Sequence, residues 1–478
     1  MAIRTNRQTR TACDQCYKLK ERCSRVAAST TCGRCERLCL SCTTNRPVKP
    51  AGRRPRGQHQ STQSLSENTT SQIQSNECSV LKSREALLPD IAVLLEDAPD
   101  LDSGEKELLI ELLGRADSFE SFIVAPKYQG AEQRFLSAPL PAALPILKDA
   151  YLACAGALRL IRSGVATDEE RNASTRRASA AMITLRSLSI ANSQDAALLL
   201  TLGTALAWFV YSAIGIGLGD ICHYCLSVTM PFIDNDFSDS DARTGQHYLV
   251  LLEIMECLTH RRKPTLRVKA RTPETVDRHV GLCLPMIQHY HDLCVISHSM
   301  ISDNNEVYQT YLERQLDDVQ TAIETWQPPQ SDRLIHDFNS TEVVNLLAQA
   351  KVYRLAGLLV GHRLRYKFGE EDSKADMLSK EIMIELELAR RLTKQPIRCV
   401  TIPFIAAAVE IRDPVARANA YHNVDKFVDH FTPVVQQAAR KFLCQIWQER
   451  DSRGKFSWYD SIHKPCVVWH TVNLDCKT

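Results

Sequence analysis

The feature that most constrains this chain is a cysteine pattern near its start, Cys13-x2-Cys16-x6-Cys23-x8-Cys32-x2-Cys35-x6-Cys42, in which one C-x2-C-x6-C unit occurs twice across an eight-residue loop. A C-x2-C pair opening a short helix aims two thiolates at one point, and the third cysteine returns to that point once the helix ends. Three ligands are one short of the tetrahedron that zinc prefers at about 2.3 Å. Two such units are completed together if one cysteine from each bridges two metals. Six thiolates and two Zn2+ leave a net −2, which nearby cations offset while favouring the ligating thiolate. A second arrangement remains open: Cys13, Cys16, Cys32 and Cys35 alone fit C-x2-C-x15-C-x2-C, a mononuclear four-thiolate site. Cys39 can pair with Cys42 as a further C-x2-C and is read as a bystander thiol.

Disulfides do not account for the pattern. The N-terminus "MAIRTNRQTR" is basic and lacks the apolar stretch of a secretory signal, so the chain is expected in the cytosol or nucleus, where thiols stay reduced. Of eighteen cysteines, seven fall between Cys13 and Cys42 and the rest are scattered. Charge is divided just as unevenly. Residues 1–60 hold fourteen Lys and Arg against three Asp and Glu, and the remainder holds 44 basic against 53 acidic residues. That division suits a polyanion-binding head on a mildly acidic body.

On these residues the segment 10–46 resembles the DNA-binding head of fungal Zn2Cys6 binuclear-cluster transcription factors. The resemblance implies that Cys13 and Cys32 bridge, that one zinc takes Cys16 and Cys23, and that the other takes Cys35 and Cys42. It also implies CGG-type half-sites on double-stranded DNA. The segment between the second and third cysteines, Tyr17-Lys18-Leu19-Lys20-Glu21-Arg22, places Lys20 and Arg22 on the family's basic positions. Tyr17, Leu19 and Thr31 depart from its pattern. A first helix of about 14–20 would enter the major groove, with Lys20 and then Lys18 as base-contacting candidates, since Lys donates well to guanine O6 and N7. Arg22, Arg25, Arg34 and Arg37 are the phosphate-contacting candidates. A head this small cannot bury a real core, so metal must supply most of its folding free energy.

Residues 1–9 are a basic tail. Residues 47–78 pass from Pro and Arg to a Ser/Thr/Gln/Asn tract unable to bury apolar surface, and are expected to be a disordered linker. "GRRPRG", 52–57, is read as a nuclear-import or phosphate-attracting stretch. From 79 to 478 the apolar spacing is helical, as in "EKELLIELLGRA" and "SKEIMIELELARRL", with little strand-like alternation. The expected fold is therefore a small zinc-stabilised cluster of two helix-loop units followed by a large all-α regulatory domain. The body resembles, diffusely, the helical regulatory domain found behind Zn2Cys6 heads, through "LLLTLGTALAWF" and "CLSVTMPF".

Several segments of the body invite other functions. Leu81, Leu88 and Leu95 fall seven apart but Pro89 interrupts the run, so no zipper is expected. Residues 90–111, acids among Leu and Ile, suit a surface helix better than an activation patch. Residues 196–219 carry no charge for twenty-four positions and are long enough to span a bilayer, yet they lie between Asp195 and Asp220 and end in Gly215, Gly217 and Gly219. Buried core helices are expected there, and no membrane partner. Cys222 and Cys225, a second C-x2-C, read as inert core thiols. "DNDFSDSD", 234–241, lacks the glycine and terminal glutamate of a calcium loop. No nucleophile elbow, phosphate loop or zincin motif points to an enzyme. The functional expectation is a nuclear, DNA-binding transcription regulator with two Zn2+ per chain, acting with coregulators or the transcription machinery and self-associating through its body. The alternative is a zinc-stabilised adaptor or corepressor whose head does not read bases.

Overall fold

The computed structural model describes residues 12–14, 16, 23–24, 31–38, 40–44, 91–96, 98–120, 122–164, 167–233, 240–268, 276–302, 306–329 and 332–453. The linker 47–78, Cys39, Leu81, Leu88 and 234–239 of the acidic run lie outside the described residues. The chain divides into two compact units, 1–76 and 77–478. In the first, α1 spans Gly33–Arg37.

The second unit is built from α2 (Ile91–Glu96), α3 (Ser103–Gly114), α4 (Gln129–Ser137), α5 (Leu140–Ser163), α6 (Asp168–Ser187), α7 (Ser193–Phe209), α8 (Leu218–Ile233), α9 (Ser240–His260) and α10 (Leu284–Ser302). It continues through α11 (Glu306–Thr325), α12 (Asp332–Asp337), α13 (Ser340–Arg365), α14 (Asp372–Thr393), α15 (Thr401–Ala408), α16 (Pro414–His422), α17 (Val424–Phe427) and α18 (Pro433–Arg453). Among the described residues there is no strand, and one isolated antiparallel bridge pairs Asp277 with Gly281. Local sequence starts these helices. Asp102 with Glu105, Thr167 with Glu170 and Asn339 with Glu342 form reciprocal capping boxes that satisfy first-turn N–H groups.

The uncharged stretch becomes α7, which runs into a π-turn at Val210–Ile214 and stops where Gly215 takes φ 79°. Gly217 follows with φ 86°, a left-handed conformation that suits glycine, and α8 begins. A helix apolar on all sides must be enclosed, and α7 is packed by α5, α6, α8 and α9. It has a counterpart that sequence reading passed over. The helix α13 is also apolar and long enough to cross a bilayer, and it too is largely buried, between α10, α11, α14 and α15. Leu95 of α2 is buried in this core and α3 buries Leu109, Leu112 and Leu113, so both helices pack on the body. Cys222 and Cys225 are fully buried in α8. Burial pushes the Cys225 thiol up to about 12.

The loop 276–283 is held inside the body. Tyr128 donates through its hydroxyl to the Val276 carbonyl at 2.6 Å, and the Val124 N–H donates to Arg278 at 2.8 Å. Asp277 Oδ2 accepts from His247 Nδ1 at 2.7 Å, while its Oδ1 accepts the N–H groups of His279 and Val280 at 2.8 and 2.9 Å. Burial alone would raise this carboxyl, but the His247 pairing and the N–H donors outweigh it and hold Asp277 at about 2. A carboxyl depressed on folding adds stability above its unfolded value, and this is lost as pH falls from about 4 toward 2. Asp277→Asn should therefore lower stability by about 2 kcal/mol at pH 7. In urea titrations the gap between native and variant chains should shrink steadily below pH 4; a gap independent of pH would contradict the pairing.

Candidate metal centre

The duplicated spacing closes into one cluster with approximate two-fold symmetry. Cys32 caps α1, and its sulfur accepts the Cys35 N–H at 3.5 Å; nineteen residues earlier, Cys13 Sγ accepts the Cys16 N–H at the same distance. The Cys13 N–H points to Cys23 Sγ at 3.4 Å and the Cys32 N–H to Cys42 Sγ at 3.3 Å. The halves are also tied across each other, because the Asp14 N–H donates to the Thr43 carbonyl at 2.9 Å and the Gly33 N–H to Ser24 at 3.1 Å. Thr43 Oγ1 adds a hydrogen bond to Asp14 Oδ2 at 3.2 Å. Each half thus fixes where the other ends. The cysteine spacing signals the sulfur contacts, but nothing in the side chains signals these backbone ties.

At the centre, Cys13 Sγ lies 3.8 Å from Cys32 Sγ and 3.7 Å from Cys35 Sγ, and Cys16 Sγ lies 3.7 Å from Cys32 Sγ. The four sulfurs fall within 4.8 Å of one another and all four cysteines are buried. Cys23 and Cys42 are half-buried and pack against this group. A tetrahedron with metal–sulfur bonds of about 2.3 Å has edges of about 3.8 Å, so the observed contacts fit a thiophilic ion. Cys39 lies outside the described residues.

The electrostatics favour anionic sulfur at the two central positions. The Cys35 N–H at Cys32 Sγ outweighs burial and holds that thiol at about 5. Cys13 is lowered in the same way by the Cys16 N–H. Burial, with neighbouring sulfurs, pushes Cys16 up to about 12 and Cys35 well above its ordinary value. Sulfurs this close cannot all carry charge without a cation among them. A bound metal ion is what would let all of them act as thiolates.

Among the candidate DNA-contacting residues, Arg37 is exposed on α1 and Arg34 is half-buried there, its Nη1 enclosed without an acceptor among the described residues. Lys18, Lys20, Arg22 and Arg25 lie outside the described residues. The nineteen-residue offset that relates Cys13 to Cys32 also relates Lys18 to Arg37.

In comparison with known proteins, the model of one family, described as the fungal specific transcription factor domain, matches residues 155–472. That region lies wholly in the second unit and leaves the cysteine cluster outside the match. No curated protein and no solved structure matches the chain.

Proposed function

The chain belongs to the fungal specific transcription factor family, whose domain covers well over half of it, and from that premise we propose that this transcription regulator binds DNA through a two-zinc head at 10–46. The family is one of transcription factors, which is not an enzyme class. The observation that carries the proposal is the two-fold arrangement of sulfurs ahead of a body of this family. Cys13 and Cys32 each touch a sulfur of the opposite half and would bridge. Cys16 and Cys23 would complete one zinc, and Cys35 and Cys42 the other. The metals supply structural cross-linking here, and their binding free energy becomes folding free energy of the head.

The head is followed by the linker 47–78 and the regulatory body 79–478, and the protein acts in the nucleus with coregulators or the transcription machinery. Base contact falls to Lys20 and Lys18 on CGG-type half-sites. Arg22, Arg25, Arg34 and Arg37 would contact phosphate, and the exposure of Arg37 supports its share in this.

DNA binding by the full chain over randomised duplexes tests the proposal. Lys20→Ala should cost roughly 1 to 3 kcal/mol on the preferred site and relax discrimination at one position, because a base contact is lost. Arg37→Ala should weaken all sequences alike and reduce the slope of log affinity against log salt by about one, as one phosphate contact is removed. Zinc content is measured in both variants, since a collapsed cluster mimics either loss. Equal losses on preferred and random DNA for a zinc-loaded Lys20→Ala protein would instead support an adaptor whose head does not read bases.

A further inference from the structure

The helix α14 has two apolar faces. One, formed by Ala375, Leu378, Ile382, Leu386 and Ala389, is buried in the body against α13 and α15. The other has no need to be apolar. Met377, Ile384, Leu388 and Leu392 are 57%, 66%, 49% and 66% exposed. At 100° per residue they fall within about 80° of the helix circumference and run for about 22 Å. Scattered exposed apolar residues are ordinary, whereas several on one helix face, interrupted here between Met377 and Ile384 by Glu381, signal a partner.

The charges beside the stripe say which partner. Asp376, Lys380, Glu387 and Arg391 share one of its edges and alternate in sign along the helix. Read in reverse, the order is the opposite in sign at every position. When two antiparallel helices meet across a two-fold axis, each edge meets the same edge of its partner, running the other way. Asp376 then faces Arg391, Lys380 faces Glu387, and Ile384 lies near the axis against itself. Within one chain Lys380 already holds Asp376 at 2.7 Å and Arg391 holds Glu387 at 2.6 Å. Pairing two helices would join these ion pairs into a four-charge network at each end. Glu381, which falls inside the stripe, and Glu385 on its opposite edge are both held by Lys351, at 3.3 and 2.8 Å. That leaves no block of like charge to repel a second copy.

We infer that the exposed stripe of α14 is a self-complementary surface through which two copies of this chain pair with their α14 helices antiparallel. This deepens the reading of the chain as a regulator that associates through its body, by naming the face and its register. Leu95 is buried and unavailable for a zipper along 81–95, which is consistent with an interface elsewhere.

Sedimentation of the full chain between about 1 and 50 μM, without DNA, tests the pairing independently of whether the head reads bases. The native chain should be dimeric. Ile384→Glu with Leu388→Glu should raise the dissociation constant at least about 30-fold, as expected for losing central apolar anchors. Both positions are exposed, so the far-ultraviolet circular dichroism spectrum should not change. Lys380→Glu and Glu387→Lys should each weaken the dimer about 10-fold through like charges meeting, and the two together should restore it. A native chain that stays monomeric would overturn the inference, as would a dimer indifferent to the Ile384/Leu388 variant. Recovery failing in the combined reversal would overturn the antiparallel register. A monomer that binds other proteins through this stripe would mark it as a docking face for a different partner and would count against pairing.

Discussion

If the head holds two zinc ions as proposed, Cys32→Ser should strip both and abolish DNA binding, whereas Cys42→Ser should cost the metal on its own side. The difference follows from position. Cys32 Sγ sits 3.8 Å from Cys13 and 3.7 Å from Cys16, and its sulfur also receives the Cys35 N–H, so it belongs to both halves at once. Cys42 touches the cluster from one side, through the Cys32 N–H. Zinc binding to small domains supplies about 10 to 16 kcal/mol of apparent free energy, far more than such a head gains from burying its few apolar side chains. Removing a shared ligand should therefore leave the head unfolded, with the helical signal of the body intact. Metal content per chain, measured beside circular dichroism, checks both variants. If Cys23→Ser and Cys42→Ser proteins keep the native metal content and DNA affinity, the cluster is a single four-thiolate site. That outcome would remove the basis for two zincs.

The grouping of Cys13, Cys16, Cys32 and Cys35 was legible in sequence, because the same offset that duplicates the thiols places these four together. The ties from Asp14 to Thr43 and from Gly33 to Ser24 were not legible, since backbone groups are the same at every residue. In the body, α7 announced itself by lacking charge. The equally central α13 did not, because it carries Lys351, Arg354 and Arg363, and a charge in sequence suggests solvent until its partner is known. For Arg363 that partner is Glu410, forty-seven positions away. The helical spacing of "SKEIMIELELARRL" was evident, but a helix with two apolar faces does not disclose which one turns inward. Packing decides that, and it is α13 and α15 that take the face of Leu378 and Ile382.

Arg363→Ala should lower the stability of the body by roughly 3 to 5 kcal/mol, the range found when one member of a buried ion pair is removed. Arg363, near the end of α13, is 3% exposed and meets Glu410 in a two-point pair, Nε to Oε1 at 2.8 Å and Nη2 to Oε2 at 2.7 Å. Its Nη2 also reaches Asp372 at the start of α14, and Nη1 donates to the carbonyls of Lys367 and Glu370 at 2.9 and 3.1 Å. The guanidinium lies 4.9 Å from the centre of the Phe368 ring, and Arg450 of α18 lies 4.1 Å from the same ring. One side chain thus joins α13, the loop into α14, the turn that follows α15 and the neighbourhood of α18. Truncation would leave Glu410, itself 2% exposed, with Arg450 at 3.8 Å as its remaining ion-pair partner among the described residues, and would remove one donor from two loop carbonyls. Lysine should not rescue the site, because a single ammonium cannot reproduce the planar fork that serves a carboxylate and the carbonyls together. Arg363→Met with Glu410→Leu should recover much of the loss, since apolar groups of similar volume remove the uncompensated charge. Urea midpoints followed by far-ultraviolet circular dichroism would read all four proteins. A single Arg363→Ala loss below about 1 kcal/mol would mean that Glu410 finds water or another cation when Arg363 is gone, and that the junction is held by its apolar packing.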